Sequence, residues 1–442
     1  AAGMTLPLEP SSIQMMQAGK AVAFQFIDEN NNQLFDAVDK IRFYGWAFDG
    51  SRQEKLYVTN NVFWLWAGVY SAQVPIVDNE AGSGSTVTTF RESITKQREI
   101  FFSSNWAIDW NDSPNDPTSW HWSLIEAEPG NTQSRIVNID LPNPDPAGGD
   151  ATYLVELTTR LYPTGVSLPT YDAQTFLNNY ADYGVGSWIG HQNLNVINTV
   201  PGNVLKQPAD FGYPTNKVKI EFSSNAPITA EVYLTRITVD FTRQLTAVDD
   251  QLIFKREAAG QSNFMVSGFT NSDPATAIVW DISDPHLPQQ IRMQAANITG
   301  AAGNYTYQIG RDLTPNASLI ATTNENIRNV KSVSEYVPVS IEPPKGGAQW
   351  LAITHSSLRE AANELASYRQ PQMEAWVVNI EDVTNQYGFG FPTPESIRNY
   401  LRHTLQDWET VPNYVTLFGD ATRNPRNLDC ASCNNWNKDT PT

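Results

Sequence analysis

The sequence predicts a mainly β protein in which antiparallel β-sandwich modules precede an incomplete α/β subdomain with a parallel sheet. From about residue 20 to 340, β-branched and aromatic residues alternate with polar ones between clusters of Gly, Pro, Asn and Asp. Near residue 340 a Pro- and Gly-rich stretch ends this pattern, and short apolar runs then alternate with helical spacings. The 442 residues are enough for two or three separate cores.

Composition divides the chain into four predicted segments. Residues 1–140 form a first β module and residues 141–339 a second β-sandwich region, since "LPNPDPAGGD" between them consists of turn-forming residues. Residues 340–349, "SIEPPKGGAQ", are predicted to be a linker. Residues 350–442 are predicted to begin an α/β domain.

The last segment shows a strand–helix–strand–helix–strand pattern. The strands are "WLAITH", "EAWVVNI" and "YVTLFGD". The first helix has Ser356 or Ser357 available as N-cap, and the second has an apolar face formed by Ile397, Tyr400, Leu401 and Leu405. This order predicts a parallel sheet with right-handed crossovers. Three strands bury their faces poorly, so we expect the sheet to continue in a longer protein.

Charge and hydropathy limit the possible partners. The chain has 29 basic and 47 acidic residues, a net charge of −18, which disfavours nucleic acid and anionic membranes because both are polyanions. No apolar run reaches the roughly 20 residues that a membrane span requires. A polar but weakly charged composition is typical of exported β-rich proteins, so we expect a secreted or cell-surface location.

The segment "DENNNQLFDAVD" has the spacing of a calcium-binding loop. Calcium prefers six to eight oxygen ligands, which a tightly wound loop supplies at alternate positions. The candidate ligands are Asp28, Asn30, Asn32, Leu34 (through its carbonyl), Asp36 and Asp39. The departures are Gln33, where such loops prefer Gly, and an Asp rather than a Glu at the last position. The alternative is a hairpin turn stabilised by its own Asn and Asp side chains. In either case the expected role is structural.

Three other features have competing interpretations. Cys430 and Cys433 form one C-x-x-C, for which a local disulfide is favoured over free thiols or a catalytic thiolate. His355 follows a strand, so it either lies at the sheet edge or caps the following helix. Tryptophans in "WAIDWNDSPNDPTSWHW" suit either a sugar-binding platform or a packed core.

Several of these segments together resemble the gingipain-like cysteine peptidases. The similar segments are "FDAVDKIRFYG", "TNNVFWLW", "TFRESITKQREIFFSSN", "VWDISDPHLPQQI" and, most extensively, the stretch from "WLAITH" to "YVTLFGDATRNP". Their order along most of the chain carries the resemblance. The last stretch is similar to the opening of the family's peptidase domain, and the earlier ones to the β-rich region before it.

The resemblance implies a caspase-like fold and a Cys nucleophile with a His base. In the family these residues follow later strands, and nothing in this sequence matches them, so no catalytic residue is carried over. Gly419 and Asp420 match the family's strand end and are expected to border the active site, although Asp420 could equally be a cap. The implied partners are a downstream catalytic half, or a second chain of the same precursor, and protein substrates.

Overall fold

The computed structural model describes residues 3–51, 54–69, 72–102, 120–159, 168–190, 192–207, 216–419, 426 and 428. Most of its elements are antiparallel strands, and a small parallel sheet with helices follows them, which confirms the predicted fold class. No helix among these residues is both long and apolar enough to cross a membrane.

The first half of the described chain consists mainly of strands. They are β1 (Ile13–Gln17), β2 (Lys20–Ala21), β3 (Phe24–Ile27), β4 (Lys40–Phe43), β5 (Trp64–Ala67), β6 (Ile76–Val77), β7 (Ser85–Val87), β8 (Thr89–Gln97), β9 (Phe101–Phe102), β10 (Trp120–His121), β11 (Ser123–Ala127), β12 (Thr132–Ile139), β13 (Ala151–Thr159), β14 (Thr170–Leu177), β15 (Gly184–Ile189) and β16 (Asn193–Val200).

The second half contains further strands and then the helices. The elements are β17 (Asn216–Ser224), β18 (Ala230–Gln244), β19 (Gln251–Arg256), β20 (Gly260–Phe269), β21 (Ala277–Asp281), β22 (Gln289–Ile291), β23 (Ile298–Ala301), β24 (Asn304–Leu313), β25 (Ala317–Thr323), β26 (Trp350–Thr354), α1 (Arg359–Arg369), β27 (Ala375–Asn379), α2 (Ile380–Tyr387), α3 (Pro394–Asp407) and β28 (Tyr414–Phe418).

The N-terminal module, residues 3–75, contains a sheet in the order β2-β1-β5 and a β3–β4 hairpin. Alternate residues of β1 point inward, so Ile13 and Met15 are buried together with Val22 and Phe24. The β1–β2 turn places Ala18 and Gly19 at positive φ, as tight two-residue hairpins require.

A first sandwich packs the sheet β11-β18-β13-β16, with β8 also paired to β18, against the sheet β12-β17-β14-β15. Alternation along β13 buries Tyr153, Val155 and Leu157, and a register shift at Glu156 buries that residue as well. The free-energy cost of burying the Tyr153 hydroxyl is offset because this hydroxyl donates to the Thr175 carbonyl on the facing sheet at 2.6 Å.

A second sandwich packs the sheet β19-β25-β21-β22-β6 against the sheet β23-β24-β20-β7. Its core includes Phe254 and Phe264, and the Phe269 ring stacks on Tyr307 with centroids 3.8 Å apart. Both β6 and β7 come from the first 90 residues and pair in parallel with β22 and β20. The first sandwich likewise pairs strands from both sides of residue 140, the predicted end of the first module.

The C-terminal sheet has the order β27-β26-β28, and all of its pairs are parallel, as the sequence predicts. The central strand β26 is buried throughout. Three details differ from the prediction. The crossover after β27 contains an additional helix, α2. Helix α1 begins at Arg359, after a 3₁₀ turn over Ser356–Leu358, so neither Ser356 nor Ser357 is its N-cap. Leu405 is exposed rather than part of the apolar face of α3.

The predicted linker packs closely against β27 and α3, which follow it. Ile341 is buried, and its carbonyl accepts from Trp376 Nε1 at 2.8 Å and from the Tyr400 hydroxyl at 3.1 Å. Next to it, the Glu342 carboxylate accepts from His403 Nε2 at 2.8 Å. Burial, together with the Glu342 charge, raises the pKa of Tyr400 far above its usual value. These contacts join the linker to the α/β core.

Candidate functional site

The candidate site is the edge of the C-terminal sheet at which the three parallel strands end. Because parallel strands end on the same side, His355 after β26, Asn379 at the end of β27 and Gly419 after β28 lie along one edge. Gly419 is therefore placed as its strand pattern predicts. Asp420, Cys430 and Cys433 lie outside the described residues.

His355 lies at this edge and also caps the following turn, so both interpretations of its position are correct. Its Nδ1 accepts from the backbone N–H of Ser357 at 3.2 Å and lies 2.8 Å from the Ser357 hydroxyl. An Nδ1 atom that accepts an N–H leaves the ring proton on Nε2. That Nε2 is 3.4 Å from Oε1 of Glu381.

Glu381, in the first turn of α2, is the acidic partner at this edge. Its Oε1 accepts from the Ser356 backbone N–H at 3.1 Å. Partial burial raises the pKa of this carboxyl, but hydrogen bonds from Ser356, backbone N–H donors and the nearby His355 outweigh the burial and lower the pKa. The pair therefore places an ionised carboxylate beside an imidazole, an arrangement that can hold or transfer a proton.

A second polar group continues along the same edge. Arg359 Nη1 donates to Asn379 Oδ1 at 2.8 Å, and Asn379 Nδ2 donates to Asp382 Oδ2 at 3.3 Å. Sequence reasoning did not select Arg359, Asn379, Glu381 or Asp382. For Asn379, Glu381 and Asp382 the available signal was "NIED" at the end of the second apolar strand, whereas Arg359 had no such signal.

Strand β28 is the exposed side of this site. Tyr414 and Leu417 are about 60% exposed, at 59% and 60%, whereas Leu351 at the centre of the same sheet is completely buried. Among the described strands, β28 pairs with β26 alone. Within the described residues, one edge of this strand is therefore unpaired and most of its side chains are exposed.

The predicted calcium loop is an exposed, tightly hydrogen-bonded turn. Asp28 accepts the backbone N–H groups of Asn32 and Gln33, and Asp39 accepts those of Glu29 and Asp36. This pattern is the one expected of a self-stabilised turn. Gln33 takes a positive φ of 64° at the position where calcium loops prefer Gly.

At the centre of the loop, side-chain amides occupy the position that a cation would need. The amide Nδ2 atoms of Asn30 and Asn32 both donate to Asp36 Oδ2, at 2.7 and 2.8 Å. Hydrogen bonds from the Val38 backbone and from Asn30 lower the pKa of Asp36. To bind calcium, both amides would have to turn their oxygens inward. Among the described residues no group of three or more His, Cys, Asp or Glu is arranged to hold a metal.

The tryptophan cluster packs inward where it is described. Trp120 is buried, and Trp122 packs against the core of the first sandwich. The packed-core interpretation is therefore correct for these two residues. Trp106 and Trp110 lie outside the described residues.

Comparisons with known proteins identify the α/β segment. Residues 344–438 match the sequence model of peptidase family C25, which confirms the resemblance to the gingipain-like cysteine peptidases for this segment. No curated protein matches the sequence.

One solved structure shares the overall fold. It is the crystal structure of dimeric latent PorU from Porphyromonas gingivalis, with a TM-score of 0.57 and 11% sequence identity. The match covers 96% of this chain and 42% of that one, so the chain spans about two-fifths of PorU's length. A xylan-binding module, CBM15, matches 34% of this chain at 7% identity and 97% of its own length, but its TM-score is only 0.17.

Proposed function

We propose that this chain is the N-terminal portion of a secreted gingipain-like cysteine endopeptidase and is inactive by itself. Its catalytic His and Cys would come from a downstream half of the same protein or from a second chain of the same precursor. The substrates would be proteins or peptides. The sheet edge at His355, Asn379 and Gly419 would border the completed active site.

The open strand β28 is the observation that carries this proposal. An edge strand with exposed apolar side chains favours pairing with another strand, so proteins usually cover or protect such edges. A peptidase sheet that continued beyond β28 would pair its free edge and cover Leu417. The match to family C25, which extends past β28 to residue 438, supports the same continuation.

Export is supported by composition and by the resemblance to the gingipain-like peptidases. The acidic, weakly charged sequence suits a secreted or cell-surface protein, and calcium, at about millimolar concentration outside cells, could occupy the loop at residues 28–39 as a structural ion. An exported structural or binding protein without peptidase activity is the alternative function.

The intact mass of the native protein tests the proposal. Native protein would be captured with an antibody against residues 216–419 and then denatured. The mass of each captured chain would be compared with the 49.2 kDa of this sequence. We expect a larger chain, or a second chain that co-purifies, with thiol-dependent cleavage of casein. A single 49.2 kDa species without that activity would contradict the proposal and favour the structural role.

A further inference from the structure

The N-terminal module contacts the peptidase segment at the loop between α2 and α3, residues 388–393. Trp64 Nε1 donates to the Phe389 carbonyl at 2.9 Å. A Cβ on Gly19 would lie 3.1 Å from the Phe389 ring, and one on Gly390 would lie 2.9 Å from Val62. The loop is thus held by the β1–β2 turn on one side and by β5 with its preceding residues on the other.

Aromatic contacts extend this interface on both sides of the loop. The Phe48 and Phe391 rings pack with centroids 5.0 Å apart. Trp64 also packs edge-on against Tyr336 at 5.4 Å, and Tyr336 accepts from Gln386 Nε2 at 3.1 Å. The interface therefore includes the segment before the linker and the last turn of α2.

The loop has a conformation that needs support. Phe389 has φ of 55°, in the left-handed region that bulky residues rarely adopt. Such conformations persist when the surrounding structure determines them. Within the loop, Gly390 donates to the Thr384 carbonyl at 3.0 Å and Phe391 to the Gly388 carbonyl at 2.9 Å, but the Phe389 carbonyl is bound by Trp64.

We infer that the N-terminal module is an intramolecular clamp for the peptidase segment and that the α2–α3 loop keeps its conformation because this module holds it. The loop connects β27 with β28 through two helices, so the clamp also restrains the crossover that leads to the strand ending at Gly419. This deepens the proposed function by naming the contact through which the β-rich part supports the peptidase part. The contact itself does not depend on peptidase activity.

Hydrogen exchange of the full 442-residue chain, followed by mass spectrometry over residues 388–393, tests the clamp. Trp64→Phe keeps a ring but removes the N–H donor, so the loop amides should exchange about tenfold faster. Trp66→Phe is the matched control, because it lies on the same strand with an exposed side chain. It should leave exchange in the loop unchanged.

A glycine pair provides a second test that does not depend on Trp64. Gly19→Ala and Gly303→Ala both place alanine at a positive φ in a hairpin, 82° and 84°, but only Gly19 faces Phe389. The clamp predicts faster loop exchange for Gly19→Ala alone. Unchanged loop exchange in Trp64→Phe and Gly19→Ala, or equal acceleration in their controls, would overturn it. Because exchange is measured without activity, the clamp can hold even if the peptidase proposal fails.

Discussion

At the scale of single residues, His355 and Glu381 combine a structural and an electrostatic role. His355 supplies the acceptor that closes the turn before α1, and Glu381 accepts the neighbouring Ser356 N–H. Both lie where parallel sheets usually present functional groups. Their geometry shows that a residue which caps a turn can still lie at the edge where the parallel strands end.

Glu381 should make stability depend on pH. Its pKa is lower in the folded chain than the ordinary 4.5, so its stabilising effect is fully present above pH 4.5 and is lost as the pH falls through the folded pKa. Glu381→Gln should destabilise α2 by about 0.5–1 kcal/mol at pH 7. This difference should shrink below pH 4.5. Hydrogen exchange of α2 at pH 7 measures the destabilisation, and unfolding midpoints of both proteins from pH 3 to 7 measure its pH dependence. A stability difference that stays constant over this range would contradict the role assigned to the Glu381 carboxylate.

At the scale of elements, the loop at residues 28–39 and strand β28 differ in how far each one satisfies its own polar and apolar groups. The loop satisfies its own backbone donors through Asp28 and Asp39. Strand β28 instead leaves apolar side chains in solvent. The first element can exist without a ligand, whereas the second favours a neighbour.

Calcium binding at the loop should appear as a chelation effect. If the ion binds only the folded chain, excess EDTA should lower the melting temperature by several degrees. Asp28→Asn keeps an oxygen acceptor for the turn but removes a charge, so it should reduce the EDTA effect. Identical melting temperatures with EDTA and with added calcium would contradict calcium binding and favour the self-stabilised turn.

The exposed edge of β28 should promote self-association of the 442-residue chain. Leu417→Lys places a charge on this edge strand and should reduce association in light scattering, because edge charges oppose strand pairing. The melting temperature should change little, since Leu417 is 60% exposed. Leu351→Lys, at a buried position of β26, should instead destabilise the sheet strongly. Unchanged association of folded Leu417→Lys would argue against an adhesive edge.

At the scale of the whole molecule, the chain near residues 76–97 connects the β-rich parts. It supplies β6 and β7 to the two sheets of the second sandwich and β8 to the first sandwich. Asn79 adds a side-chain bond, accepting from the Gly310 N–H at 2.7 Å. The two sandwiches are therefore joined by strands of one chain segment rather than by a flexible linker.

Gly310 tests this connection. A Cβ there would lie 2.0 Å from the Glu80 carbonyl oxygen, so Gly310→Ala must displace the segment or β24. Overpacking of this kind typically costs about 1–3 kcal/mol, and hydrogen exchange over residues 76–87 should accelerate. Gly45→Ala, whose Cβ would meet only a side chain at 3.7 Å, is the control. Equal behaviour of the two variants would show that the segment is not tightly packed.

Local patterns predicted the type of each element better than they predicted which elements pack against it. The alternation in "YLVELTT" identifies β13, and the apolar run "WLAIT" identifies β26. The sequence pattern does not reveal helix α2 because α2 begins immediately after β27, so Ile380 looks like the end of the strand "EAWVVNI". Leu405 was assigned to a buried face because helical spacing identifies a stripe but not how far other elements cover it.

The candidate site could be predicted only in part. A Gly after an apolar strand indicated the edge at Gly419, and His355 was recognised as an edge or cap residue. The contact of His355 with Glu381 joins residues 26 positions apart, and no local spacing encodes it.

The sequence by itself determined the succession of strands and helices, the change to parallel α/β structure near residue 350 and the resemblance of that segment to the gingipain-like peptidases. These follow from local periodicity and short-range motifs. Only the tertiary structure decided that β6 and β7 join the second sandwich, and that Trp64 holds Phe389, 325 residues away. Two- or three-residue strands carry no periodicity, and long-range contacts depend on how complete faces pack, which residue spacing does not contain.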